Sequence, residues 1–212
     1  SWSVFSYNIP GDPKPVQAAL KATAGDYSIV YTYDPADQGN PWRAFDPKAP
    51  DFANDLTKLE YGKTYWIHAN RTTTLHLAAN RTAGGTRAAQ AGGASPGLVP
   101  PAVFFGQVQR RSNNYQQPNA DFGLAAGMEV TAWIGDHLCG QAQTREEPSG
   151  NLVFVIKVAA DGDTEGCGAA GRTVEFKVDG RVMMTRAPWD NTNFTYALLS
   201  TENGHQGASL TF

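Results

Sequence analysis

Apolar and polar positions alternate in short runs along most of the chain, and turn-forming residues interrupt them at close intervals. That period is the mark of half-buried β-strands. Trp2 to Tyr7 alternates large and small side chains and predicts a strand. Pro10-Gly11-Asp12-Pro13 predicts a turn. Val16, Ala19, Leu20 and Thr23 share one helical face, so a short helix is expected, opened by Pro15 and closed by Gly25. Further strands are expected over Tyr27–Tyr33, Thr64–His68 and Thr73–Ala78. The intervening Asp34–Asp55 is dense in Pro, Asp, Asn and Gly, yet carries Trp42, Phe45 and Phe52, rings that need a surface to pack on.

After a gap in this pattern it resumes. Strands are expected over Val103–Val108, Met128–Ile134, Leu138–Thr144, Leu152–Val158, Thr173–Val178, Arg181–Thr185 and Phe194–Leu199. Gly135-Asp136 and Asp179-Gly180 are hairpin signals, and Arg110–Asp121 reads as a polar loop. Short strands with frequent turns predict an antiparallel β-sandwich. The gap itself, AGGTRAAQAGGASPGLV over residues 83–99, has no stripe of either period and reads as a linker. The fold class expected is mainly β: a small α+β domain over residues 1–82, the linker, and a sandwich over residues 100–212.

Composition narrows the functional classes. Charged residues make up 17% of the chain, below the globular norm of about 25%, and the net charge is −3. No basic run exceeds Arg110-Arg111, which argues against nucleic acid as a partner. No apolar run approaches the ~18 residues of a membrane span, so membrane insertion is not expected. The chain opens directly into a strand pattern and reads as a processed or excised mature segment.

Cys139 and Cys167 both lie in the second half. An even pair confined to one domain of secreted-type composition predicts a disulfide; two reduced thiols in a cytosolic core are the alternative. Three N-x-S/T sequons, at Asn70, Asn80 and Asn193, are glycosylation candidates and agree with an extracellular or cell-surface location. Trp42 and Trp66 could stack on pyranose rings, although a small domain also needs such rings for its core. Asp161, Asp163 and Glu165 form the one acidic cluster, a weak metal candidate beside the simpler reading of a solvated loop. Asp34, Asp37 and Asn40 imitate a calcium loop loosely, but the spacing is wrong and a turn is favoured.

The first half resembles a Trp-rich module that recurs in bacterial and archaeal surface proteins. The matching motifs are AG-x-Y-x-x-V-Y-x-Y-D at Ala24–Asp34, P-W-x-x-F-D-P-x-x-P-x-F-x-N-D-L at Pro41–Leu56, and L-x-x-G-x-x-Y-W-I at Leu59–Ile67. The resemblance implies a cell-surface location and no defined activity. The second half resembles the transthyretin-like or carboxypeptidase-regulatory-like sandwich domains in FFGQV, VTAWIGDHLCG, GCG and VEFKVDGR. That resemblance implies a spacer, stabiliser or adhesive module. Some relatives form Lys–Asn isopeptide bonds, a role for which Lys157, Lys177 and Asn193 would be the residues here.

His68, His76, His137 and His205 sit in no HExxH, GxSxG, P-loop or Rossmann context, so no catalytic residue, metal or cofactor is expected. The leading expectation is a non-catalytic extracellular structural or adhesive protein. Its partners would be other copies or neighbouring surface-protein domains. Terminal strand patterns at Ser1–Tyr7 and Ala208–Phe212 suggest head-to-tail assembly into a fibre or array. The alternatives are a carbohydrate-binding accessory module of a secreted enzyme, with a glycan as partner, and an enzyme whose site the sequence does not mark.

Overall fold

The computed structural model describes residues 1–72, 74, 75, 77, 98–109 and 123–200. The fold is mainly β. The chain divides into two compact units: Ser1–Pro101 with Asn191–Phe194, and Ala102–Asp190 with Thr195–Phe212. Asn191–Phe194, expected in the second domain, therefore groups with the first. Most of the linker lies outside the described residues.

The first unit holds β1 (Trp2–Ser6), β2 (Lys14–Pro15), α1 (Val16–Ala19), β3 (Tyr27–Tyr33), β4 (Trp42–Phe45), β5 (Lys58–Leu59) and β6 (Thr64–Ala69). Its main sheet has the order β1-β6-β3-β4 and is antiparallel; β2 and β5 form a two-stranded ribbon. β3 is central, and aromatic and β-branched residues fill its run Tyr-Ser-Ile-Val-Tyr-Thr-Tyr, buried on both faces. One face packs Phe5, Val30, Phe45, Tyr65 and Ile67 against Val16, Ala19 and Leu20 around α1, with Leu56 and Leu59. Each of the Val, Leu, Ile and Phe side chains among them contributes roughly 1.5–3 kcal/mol by leaving water. The helix is shorter than its sequence pattern: α1 gives way at Leu20 to a 3-10 turn over Lys21–Thr23, and Gly25 follows at φ 88°.

Two expectations for this unit need correction. β4 is a strand inside the stretch read as loop. Thr74, Leu75 and Leu77 lie in no strand, and the rest of the expected Thr73–Ala78 strand falls outside the described residues. Leu77 is nevertheless buried in the same core.

The second unit holds β7 (Ala102–Gln109), β8 (Glu129–Ile134), β9 (His137–Gln143), β10 (Arg145–Glu146), β11 (Leu152–Val158), β12 (Thr173–Val178), β13 (Arg181–Pro188) and β14 (Phe194–Ser200). They make two four-stranded sheets, β10-β11-β7-β14 and β13-β12-β8-β9. Phe104, Phe154, Ile156 and Val158 from one sheet meet Val130, Ala132, Val174, Phe176 and Val178 from the other in a single core. The Phe104 and Phe176 rings meet edge to face with centroids 5.3 Å apart. This is a β-sandwich, as the strand pattern predicts. Both hairpin signals form turns: Asp179 (φ 45°) and Gly180 (φ 76°) join β12 to β13, and Gly135 (φ 58°) with Asp136 joins β8 to β9.

Candidate functional site

Several aromatic residues of the first unit, its tryptophans Trp2, Trp42 and Trp66 among them, gather on the sheet face opposite α1. Trp2, Tyr31, Trp42, Trp66 and His68 alternate onto that face by strand period. Trp42 lies 5.2 Å from Trp66, 5.9 Å from Tyr31 and 4.9 Å from Tyr33, centroid to centroid, in tilted or edge-on geometry. Trp42 and Trp66 are 5% and 7% exposed. A pyranose needs an open ring face, and these rings offer none. The sugar-stacking expectation for Trp42 and Trp66 is therefore corrected: they are packing residues.

A Ser–His contact that the sequence does not mark sits beside them. The Ser28 hydroxyl is 2.9 Å from His68 Nδ1 and donates to the Thr192 carbonyl at 2.6 Å. With its single proton on that carbonyl, the oxygen can only accept from the ring. Ser28 is buried, so the pair ties Asn191–Phe194 into the first unit and does not present a nucleophile.

The N-D of the long motif has a clear task. Ala44 in β4 and Asp46 just after it point their N–H groups away from β3. Asp55 Oδ1 accepts from Ala44 N–H at 2.7 Å, and Asn54 Oδ1 accepts from Asp46 N–H at 2.8 Å. The Leu56 N–H returns a bond to the Ala44 carbonyl at 2.9 Å. The free edge of β4 is thus closed by its own following loop. Asn40 donates to the other Asp55 oxygen at 2.9 Å, and Asp37 accepts from Asn40 N–H and pairs with Arg43 at 3.2 Å. The Asn40 N–H first, and Arg43 second, hold the Asp37 carboxyl below its ordinary range. The DPADQGN stretch is a turn whose carboxylates cap backbone.

In the second unit the Cys139–Cys167 disulfide is present, with sulfurs 2.13 Å apart. A bulge explains the inward aim of Cys139. Ala132 pairs with Gly140 and Trp133 with Leu138, so Cys139 has no residue opposite it and turns into the core. The loop it anchors is closed by backbone bonds from Asp161 N–H to the Gly168 carbonyl and from Gly168 N–H to the Ala159 carbonyl. Gly168 lies under the Trp189 indole, where a Cβ would come within 1.9 Å of Nε1. The GCG of the sequence is a place where only glycine fits.

One carboxylate of the acidic cluster on this loop is already committed. Arg172 sits 3.0 Å from Asp161 Oδ1, which also accepts from Gly166 N–H at 2.9 Å; Arg172, the larger cause, holds this carboxyl below its usual range. No three His, Cys, Asp or Glu side chains converge on a metal position among the described residues. At Asp161 a guanidinium occupies the place that the weak metal candidate of Asp161, Asp163 and Glu165 would give to a cation.

Lys177 lies 3.8 Å above the Trp133 ring, and Asn193 donates to Thr192 Oγ1 at 3.0 Å. Those two side chains face other partners than each other. Asn70 and Asn193 are both exposed, as sequon acceptors must be; Asn80 lies outside the described residues. The same holds for His76, His205 and the expected Ala208–Phe212 strand. No described helix is long and apolar enough to cross a membrane.

The second unit also turns large apolar side chains outward. Val182 and Met184 on β13 are 58% and 47% exposed, and Tyr196 and Leu198 on β14 are 44% and 36% exposed. Tyr196 packs edge-on against Phe105 at 5.7 Å. Buried rows lie behind them, so these residues are surplus to the core. No family model matches the chain, and no curated protein or solved structure matches it.

Proposed function

We propose that this chain is a non-catalytic extracellular structural or adhesive protein, acting through surface contact with other copies or neighbouring surface domains. The outward apolar side chains of Val182 and Met184 on one sheet, and of Tyr196 and Leu198 on the other, carry the reading. Apolar side chains turned outward from rigid sheets are a common substance of protein-binding surfaces. The disulfide and the exposed sequons at Asn70 and Asn193 fit an oxidising exterior.

The test is location on the intact source cell. An antibody against the chain should label unpermeabilised cells, and brief external protease treatment should remove the signal. Labelling only after permeabilisation would reject the reading. Glycan-array binding by the intact chain would favour the accessory-module alternative.

A further inference from the structure

The two sheets of the second unit and the main sheet of the first expose strand edges, and most are blunted. β4 is capped by Asn54 and Asp55. β13 is bulged: Glu175 pairs with Arg186 and Lys177 with Val182, leaving Met183–Thr185 opposite Phe176 alone. On β14 the Leu198 carbonyl takes the Thr185 hydroxyl. On β9 the Cys139 carbonyl takes Ala159 N–H, and β10 is two charged residues long. Bulges, charges and caps are what proteins use to prevent strand addition.

Among the described residues, β1 has none of these. It pairs with β6 over five consecutive residues without a register break, and it contains no charge and no proline. The bonds Ala69 N–H to the Ser1 carbonyl and Tyr7 N–H to the Lys63 carbonyl fix the phase. Odd-numbered residues bond to β6. Trp2, Val4 and Ser6 therefore direct N–H and C=O to the other side. Trp2 and Ser6 are part-exposed and Ser3 is exposed, while the Val4 side chain is buried in the sheet face.

We infer that β1 is a strand-addition site whose occupant is β1 of a second copy, paired antiparallel about Val4. This deepens the structural reading above, on which it rests, by naming the partner and the register. The strand is its own complement. Val4 would exchange both backbone bonds with the partner's Val4, and Trp2 would do so with the partner's Ser6. Those are the three residues whose groups face outward. On the opposite face Ser3 would lie beside the partner's Phe5. The two four-stranded sheets would join into one continuous sheet across a two-fold axis. Such a contact is closed, so it makes dimers; a fibre would need a second interface.

Sedimentation of the 212-residue chain tests this. The wild type should approach twice the monomer mass of 22.8 kDa as concentration rises to about 200 μM, a range suited to a small interface. Ser6→Pro removes an outward N–H that β6 does not use, and should weaken dimerisation by at least about tenfold. Ser3→Lys, on an exposed side chain, sets a charge against the partner's Phe5 and should do likewise. Circular dichroism should match wild type for both, and Ser3→Lys decides the matter if Ser6→Pro misfolds. A wild type that stays monomeric overturns the inference. So does a dimer that survives Ser3→Lys but dissociates with Leu198→Lys. Cell-surface labelling is independent of all these outcomes, so either idea can fail while the other stands.

Discussion

Asp55 serves a backbone and a side chain at once: one oxygen holds Ala44 N–H on the free side of β4, and the other receives the Asn40 side-chain amide from the preceding turn. Asp55→Ala leaves a strand-edge donor without its acceptor and opens the turn. The expected loss is about 1–3 kcal/mol in chemical denaturation of the chain. Asp55→Asn, which keeps one acceptor oxygen, should lose less. Gly168→Ala is a harsher change, because the new methyl would overlap the Trp189 indole. It should destabilise by roughly 3 kcal/mol or more and blue-shift or broaden the tryptophan emission. Gly25, with open space around its Cα, tests conformation alone; its φ of 88° makes Ala cost about 1 kcal/mol.

Two tyrosines give a pH signature at the same scale. Burial pushes the Tyr27 phenol up to about 12, with a smaller contribution from Asp46, and burial likewise pushes Tyr65 up to about 12. Both phenols ionise more easily in the unfolded chain, near the ordinary value of 10. Their contribution is therefore whole below pH 10 and is lost as pH rises towards about 12. Melting temperature should fall across that window, and the phenolate absorbance of these residues should appear late in a spectrophotometric titration. Phenolate absorbance complete by pH 10.5 in the folded chain would contradict the burial of both rings.

At the scale of elements, the Cys139–Cys167 bond joins the β9 bulge to the loop before β12. A loop of 28 residues predicts roughly 3–4 kcal/mol of stabilisation by the chain-entropy model. Cys139→Ser should lower the melting temperature in ordinary buffer and leave it level with reduced wild type in dithiothreitol. The sequence marks the strands of the sandwich, apart from the two-residue β10, to within a few residues, and the two hairpins through their glycines, because strand period and turn chemistry are local. It does not mark β4. Four residues among Pro, Asp and Asn carry too little alternation to stand out. Their strand character comes from register with β3 and from the side-chain caps on their outer edge. Nor does it mark the end of α1 at Ala19, which is set by where the chain must turn to enter β3.

For the whole molecule, the broad class was legible and the site was only partly so. The cysteine pair could be matched because the chain holds only two. The tryptophans could not be sorted. Trp42 and Trp66 look in sequence like any sugar-stacking ring, and burial is a property of what packs around them. The surroundings of the acidic cluster were no more legible: Arg172 reaches Asp161 only because the loop folds back on itself.

By itself, then, the sequence determined the mainly β class, the sandwich strands, the hairpin turns and the disulfide, since each follows from period, local conformation or simple pairing. The tertiary structure alone decided which rings are buried, which carboxylates are taken and which strand edges are closed. Those depend on contacts between residues far apart in the chain. Asp46 shows the difference: it is an ordinary turn aspartate in sequence, yet it accepts N–H from Lys48, two residues on, and from Phe194, 148 residues on.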